Sequence, residues 1–434
     1  MSSPSVAIVA LNWNGREHLA DCLASLVGQT YGGPFHVVLA DNGSTDGSVD
    51  FVRQRFPSVR IVRAERNLGF AGGNNLAARQ MEADVVAFVN NDTRAEPAWL
   101  EELVAVLTQA PQLAAVGGKI VNWDGSRLDF VGGGATLTGL GLQFDHGEAR
   151  SPHDHERDIL FACGGSMAIR RKVFLEVGGF DEDYFAFYED VDLGWRLWLA
   201  GYRVRYAPRS VVHHRHHGTS SRIAPERLAV LYERNALFTI FKNYDDRHLQ
   251  AIWPAALLLT AEKATLLIDP DRRAFALGPP VDGPGPAAAP QLVKSKDLSR
   301  VKASLRQRGL AGTAQAALRA AGRRIHPRLD RLRRSAARGL AGKSATIGAP
   351  AAAVSRLLAL EEVGRRMPEL LAKRRAVQAM RKRSDDDILP LFGMPLEPGF
   401  PSAGFVEYHQ TLVRALGLDT LVKEASAQSP LPHA

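Results

Sequence analysis

The chain has 434 residues, 45% of them hydrophobic and 23% charged, with a net charge of +8. This is the composition of an ordinary soluble globular protein with room for two or three domains. Two distant cysteines, Cys22 and Cys163, argue against a disulfide framework and a thiolate zinc site and suit a reducing cytosol. The first residues have no basic region and run straight into a strand, so no signal peptide is expected. No stretch is continuously apolar for the length of a membrane-spanning helix. The charge is uneven. Residues 294–383 carry 24 basic and 5 acidic side chains, so a basic tail region follows an acidic body. That asymmetry suits an anionic partner, with a membrane surface, nucleic acid or another polyanion all open.

In chain order, residues 6–11, 35–40, 59–62 and 84–89 are short apolar, β-branched runs and read as strands. Helical patterns separate them: Leu19, Cys22, Leu23 and Leu26 after the first, and Val49 and Val52, capped by Asp46, after the second. Pro97 opens a helix with Trp99, Leu103, Val106 and Leu107 on its apolar face. Alternating strands and helices imply βαβ units and a mostly parallel sheet. Residues 123–160 read as a hairpin or flap, 161–169 as a strand broken at Gly164-Gly165, and 170–177 as a short helix. Residues 202–206 and 210–214 read as two strands and 226–244 as a helix. The apolar segment 251–268 suits either core packing or a bilayer surface. Residues 270–290 read as a Pro/Gly/Ala linker, and the rest as mainly helical.

In sheets of this kind ligands bind beyond the carboxyl ends of the strands. Three predicted strand ends carry polar clusters, Asn12–Asn14, Asp41–Ser44 and Asn90–Asp92, which should converge on one crevice. Asp41 can accept hydrogen bonds from a base or ribose, or close an Asx turn before Gly43. Asn90 and Asp92 form a hard-oxygen pair suited to Mg²⁺ or Mn²⁺ beside phosphates. The stretch from Asn67 to Asn75 contains Gly69, Gly72 and Gly73 and leads into a helix N-terminus that can face an anion. Neither a P-loop nor a G-x-G-x-x-G spacing is present. Further on, Glu189, Asp190 and Asp192 follow the aromatic run Tyr184-Phe185-Ala186-Phe187-Tyr188. Acids suit a helix's first turn, and apolar walls raise a carboxylate's pKa towards that of a general base near neutrality. In the histidine run 213–217, alternate side chains on a strand would face opposite ways, so at most two share a metal or phosphate site.

These segments together resemble the family 2 glycosyltransferases of the GT-A fold, and in particular their rhamnosyltransferase-like bacterial branch. The resemblance rests on Leu11-Asn12-Trp13-Asn14, Asp41-Asn42-Gly43-Ser44, Asn67-Leu68-Gly69-Phe70, Asn90-Asn91-Asp92-Thr93, Gly178-Gly179-Phe180-Asp181-Glu182 and Glu189-Asp190-Val191-Asp192-Leu193, in that order. It covers roughly residues 5–245. It implies a Rossmann-like GT-A catalytic domain over 1–245, an apolar helical segment over 246–269, the linker 270–290 and a basic helical region over 291–434.

The resemblance also implies inverting transfer of a sugar, with rhamnose in the lead, from a dTDP- or UDP-linked donor. The acceptor would be a glycan or polyprenyl-linked hydroxyl in bacterial surface polysaccharide synthesis, and a divalent cation would assist. Asp190 would be the base, with Glu189 and Asp192 as alternatives. Asn12, Asn14, Asp41, Asn42, Ser44, Asn67, Gly69, Phe70, Asn74 and Asn91 would face the nucleotide-sugar. Asp92, Asn90 and His214 would face the metal, and Gly165, Trp195, Arg196 and His217 the acceptor or diphosphate. The expected setting is the cytoplasmic face of a membrane, held peripherally by the basic tail, with helices docked on the body or on a second copy as the alternative. A nucleic-acid partner is not expected, because no RNA-binding signature or zinc finger is present. The competing reading is a non-catalytic nucleotide-sugar-binding scaffold on the same fold.

Overall fold

The computed structural model of the chain describes residues 3–149, 155–215, 223–270 and 349–428. The first half alternates as expected: β1 (Val6–Asn12), α1 (Arg16–Val27), β2 (Phe35–Asp41), α2 (Ser48–Arg55), β3 (Arg60–Arg63), α3 (Gly69–Gln80), β4 (Val85–Asn90), β5 (Thr93–Ala95), α4 (Trp99–Leu107) and β6 (Leu113–Asn122). Next come β7 (Leu128–Phe130), β8 (Gly133–Ala135), β9 (Gly141–Gln143), β10 (Arg157–Asp158), β11 (Ser166–Arg170), α5 (Arg171–Glu176), α6 (Glu189–Leu199) and β12 (Arg203–His214). Helices α7 (Pro225–Asn243), α8 (Asp246–Ile268), α9 (Ala351–Arg365), α10 (Met367–Ala379), α11 (Asp385–Ile388), α12 (Ala403–Ala415) and α13 (Leu418–Gln428) follow.

The main sheet runs β10-β12-β6-β11-β4-β1-β2-β3. β3, β2, β1 and β4 are mutually parallel, as are β6 and β12, while β11 lies antiparallel between β4 and β6. Residues Val6–Ala10 of β1 are buried at every position, because helices cover both faces of a parallel sheet. The register places Asn12 opposite Asp41 and Leu11 opposite Asn90, so three polar strand ends finish at one edge. The two strands expected over 202–214 are one strand, β12, whose register against β6 shifts between Ala207 and Val211. Pro208 falls in that irregularity, where its missing N–H costs no ladder bond.

The chain divides into two compact units. One comprises residues 1–269, 351–401 and 405–434; the other, residues 270–350 and 402–404, lies mostly outside the described residues, as does the expected linker. Within the first unit, tail residues dock on the catalytic body: α9 packs on α7 and α8, and α10 on α7. Several of their basic residues have partners there. Arg366 and Lys373 pair with Asp183, and Lys373 also with Asp181. Arg374 donates to the carbonyls of Phe241 and Tyr244, and Arg383 to those of Gly201 and Tyr202. By length and composition α8 could cross a bilayer. Yet it buries Ile252, Ala255, Ala256 and Leu259, and Lys263 forms a buried ion pair with Glu233 of α7 at 3.1 Å.

Candidate active site

Asn12, at the end of β1, ties the strand ends together. Its amide Nδ2 donates to Ser44 Oγ at 3.1 Å, and its Oδ1 accepts from Asn91 Nδ2 at 2.7 Å. Asp41 is fully buried; its carboxylate accepts from the Ser44 N–H at 3.1 Å and meets Arg63 at 3.5 Å. Its carboxylate thus bonds the backbone three residues on, past Gly43. Asn14, at φ +52°, receives the Thr45 N–H at 2.8 Å. The crevice edge is a network of side chains that build its loops before any ligand arrives. A separate hollow of about 750 Å³ opens beside these loops, lined by Asn14, Arg16, Thr45, Asp46 and Phe51 among others. It contains none of the acids described below and is not the reaction centre.

The next wall is the N-terminus of α3. Asn42 holds it by donating to Asn67 Oδ1 and to the Gly69 carbonyl, both at 2.9 Å, and by accepting from the Leu68 N–H. Gly69 has φ +76°, and a Cβ there would lie 2.3 Å from the Phe185 carbonyl. That closeness lets the Phe70 N–H donate to the same carbonyl at 2.6 Å. The Phe70 ring lies against Gly164, and the buried Asn74 donates to the Phe70 carbonyl at 3.1 Å.

The acids of α6 separate by environment. Asp190 Oδ2 accepts the Gly164 N–H at 3.3 Å and Oδ1 the Val191 N–H at 2.9 Å. Burial lifts its pKa to about 6, against the pull of those N–H groups. Glu189 is buried, its Oε2 has no hydrogen-bond partner among the described residues, and burial together with the Asp190 charge pushes its pKa well up. Asp192 is fully buried and ion-paired with Arg196 at 2.8 Å and Lys242 at 3.0 Å. Of the three, Asp190 is the half-buried carboxylate that ionises near neutrality.

The loop that presents these acids is strained. Phe185, Phe187 and Tyr188 all have positive φ, between 63° and 69°. Asn235 of α7, fully buried, donates to the carbonyls of Tyr184, Ala186 and Phe187 at 2.8–3.1 Å. Such conformations persist only where their surroundings over-determine them.

At the opposite end, His214 stands between two carboxylates. Its Nε2 lies 3.3 Å from Asp92 Oδ1 and its Nδ1 2.6 Å from Asp129 Oδ2. Burial alone would lower its pKa, but the bonds to Asp129 and Asp92 prevail and raise it to about 10. Asp92 is held below its usual range; burial opposes this and His214 outweighs it. His213 points the other way, to Trp123 and Glu96, as strand alternation requires. Burial, then the charges of Asp190, Asp129 and Glu189, push up the thiol of Cys163, so both ends of the crevice lie within electrostatic reach of that residue.

The Glycosyl transferase family 2 profile matches residues 5–178, and that of the N-terminal domain of galactosyltransferase matches residues 152–217. The N-acetylglucosaminyl-diphospho-decaprenol L-rhamnosyltransferase of Mycobacterium tuberculosis (strain H37Rv) is 32% identical over 277 residues, covering 58% of this chain and 88% of that protein.

The chain belongs to glycosyltransferase family 2.

The glucosyl-dolichyl phosphate glucuronosyltransferase of Haloferax volcanii is 28% identical over 41% of this chain and 55% of its own length. Among solved structures, that of GalNAc-T7 with UDP, GalNAc and Mn²⁺ aligns at a TM-score of 0.47 and 16% identity, covering 58% of this chain and 51% of that one.

Several expected contacts of this glycosyltransferase need correction. Asp192 and Arg196 are consumed by a buried ion pair, and Arg196 also donates to the carbonyls of Val177 and Gly179. Trp195 is fully buried against Tyr244 and Phe392. Buried and engaged in these contacts, the three are not open to acceptor or diphosphate. Asn90 and Asp92 do not act as a simple pair: the Asn90 amide lies beside Gly165, whereas Asp92 turns to His214. His217 lies outside the described residues. Sequence reasoning missed Asp129, Gly164 and Asn235. Asp129 sits in an irregular stretch with no motif, Gly164 acts through its backbone, and Asn235 looks like any helical asparagine.

Proposed function

We propose that this glycosyltransferase moves a single sugar, with L-rhamnose from dTDP-rhamnose in the lead, onto a hydroxyl of a lipid-diphosphate-linked sugar for cell-wall polysaccharide. The observation that carries the mechanism is the division of the crevice: one carboxylate ionising near neutrality, Asp190, and a separate Asp92–His214–Asp129 cluster. Asp190 takes the proton from the acceptor hydroxyl as that oxygen attacks the anomeric carbon. One base and one displacement invert the configuration at that carbon. Burial and the Asp190 charge push the pKa of Glu189 well up, which favours Asp190 as the carboxylate that carries the charge for the step.

The donor set at the other end fits a divalent cation. Asp92 and His214 would hold it, the imidazole giving up its Nε2 proton to do so, while Asp129 on the far ring nitrogen fixes the ring's orientation, a common arrangement around histidine ligands. When bound, a Mg²⁺ or Mn²⁺ ion supplies positive charge for the departing nucleoside diphosphate. Asn12, Asn42 and Asp41 keep the nucleotide-side loops in place. The rhamnosyltransferase relative supports the sugar, and both relatives, named for lipid-linked substrates, support the acceptor class. A peripheral position at an anionic leaflet is supported by Leu258, Val354, Leu357 and Leu358, exposed on α8 and α9, and by the charge of the tail.

The test is release of nucleoside diphosphate from dTDP-rhamnose and from UDP-sugars, with and without a short-chain N-acetylglucosaminyl-diphospho-lipid. Acceptor-dependent release from dTDP-rhamnose is expected. Release from UDP-sugars alone would reassign the donor. Donor binding without turnover on any acceptor would leave the scaffold reading.

A further inference from the structure

An acceptor hydroxyl must come within hydrogen-bond reach of Asp190, so the ring that carries it must lie beside the mouth of α6. Three aromatic side chains meet there. The ring of Tyr232, on α7, lies 4.6 Å from that of Phe187 at 37° and 5.6 Å from that of Tyr188 at 63°. Phe187 and Tyr188 immediately precede Glu189 and Asp190 and are held in left-handed conformations. Tyr188 is backed by the hairpin: a Cβ on Gly141 would lie 3.0 Å from its ring. Tyr232 is different, being 39% exposed. Burial, then the charges of Glu189 and Asp190, raise the pKa of its hydroxyl. A large aromatic left open to solvent beside a catalytic carboxylate offers a flat apolar face where a substrate ring must pass.

The geometry points to an acceptor subsite in which Tyr232, supported by the tilted ring of Phe187 and the edge-on ring of Tyr188, stacks against the apolar face of the acceptor pyranose beside Asp190. This rests on the glycosyl-transfer reading above and names the group that orients the acceptor. Pyranoses carry axial C–H groups on one face, which suit the electron-rich face of an aromatic ring. The backbone strain at Phe187 and Tyr188 then has a use, because it turns two bulky rings outward from the helix start to support the third. Carbonyl capture by Asn235 holds that turn, and Asn235 lies three residues beyond Tyr232 on the same helix.

The experiment compares Tyr232→Ala and Tyr232→Phe with the full-length wild type, using dTDP-rhamnose and the short-chain N-acetylglucosaminyl-diphospho-lipid. Tyr232→Ala should raise the acceptor KM on the order of tenfold while the donor KM stays within twofold, and Tyr232→Phe should restore the acceptor KM. An acceptor KM unchanged in Tyr232→Ala overturns the subsite, and so does a joint rise of both KM values with a lowered Tm, which marks a purely structural side chain. If the wild type transfers nothing to this lipid, the functional reading fails separately. Saturation-transfer NMR with N-acetylglucosamine then decides the subsite: loss of signal in Tyr232→Ala supports it, and equal signals, or none from the wild type, overturn it.

Discussion

At the start of α6, two adjacent carboxylates cannot both be charged in a buried site, and their surroundings decide which one keeps its proton. Asp190 has two backbone N–H donors for its charge, while Glu189 has an orphaned buried oxygen, so the surroundings favour the charge on Asp190. As a base Asp190 works only when ionised, so kcat/KM should fall as pH drops through about 6 and level off above it. A limb centred near pH 4 would remove Asp190 from the role. Asp190→Asn should abolish transfer and leave donor affinity intact, read by nucleotide titration. Asp129→Asn tests the other end. Loss of its grip on His214 Nδ1 should weaken Mn²⁺ binding by roughly 10–100-fold, measured by calorimetry, with little change in Tm.

Among the elements, the strained loop 185–188 depends on neighbours distant in sequence. The α3 terminus reaches the Phe185 carbonyl through the Phe70 N–H, and α7 reaches the other carbonyls through Asn235. Asn235→Ala removes the side-chain donor to the Ala186 and Phe187 carbonyls, which should cost about 1–3 kcal/mol of stability in denaturant unfolding. It should lower kcat more than either KM, because the base loses its mount before the substrates lose their walls. Behind the loop, Lys242 sits with 2% of its side chain exposed between Asp181 and Asp192. Lys242→Met would leave Asp192 to Arg196 and Asp181 to Lys373, each without its shared cation, and a loss of stability is expected from chemical denaturation. A variant as stable as the wild type would mean that water reaches this cluster.

For the molecule as a whole, the described tail is part of the catalytic unit. α9 and α10 cover α7, and α7 in turn carries Asn235 and Tyr232. Arg366 and Lys373 hold Asp181 and Asp183, just ahead of the strained loop. A chain ending at Asp269 would therefore uncover the apolar face of α7 and strip the counter-charges from that loop. It is expected to bind the dye ANS and to elute as aggregate in size-exclusion chromatography. A monodisperse truncation with full donor affinity would contradict that dependence.

The order of strands and helices, the convergence of the Asn12, Asp41 and Asn90 strand ends and the candidacy of Asp190 as a base were legible in the sequence. All three follow from local patterns, namely apolar period, turn residues at strand ends, and acids behind an aromatic run. The opposite aims of His213 and His214 were legible for the same reason, since alternation along a strand needs no partner. What only the tertiary structure decided depends on partners far away in the chain. Asp192 and Arg196 share the first turns of α6 with Asp190, yet face inward, because Lys242 and the carbonyls of Val177 and Gly179 meet them there. Asp129 joins His214 across 85 residues, and Asn235 reaches back about 50 to hold the loop. Several basic residues of 351–383, counted in the sequence towards a membrane-holding tail, have partners on the body, Arg366, Lys373, Arg374 and Arg383 among them, because a charge count records sign and leaves direction unstated. Direction is set when helices pack and burial requires each charge to find its counterpart.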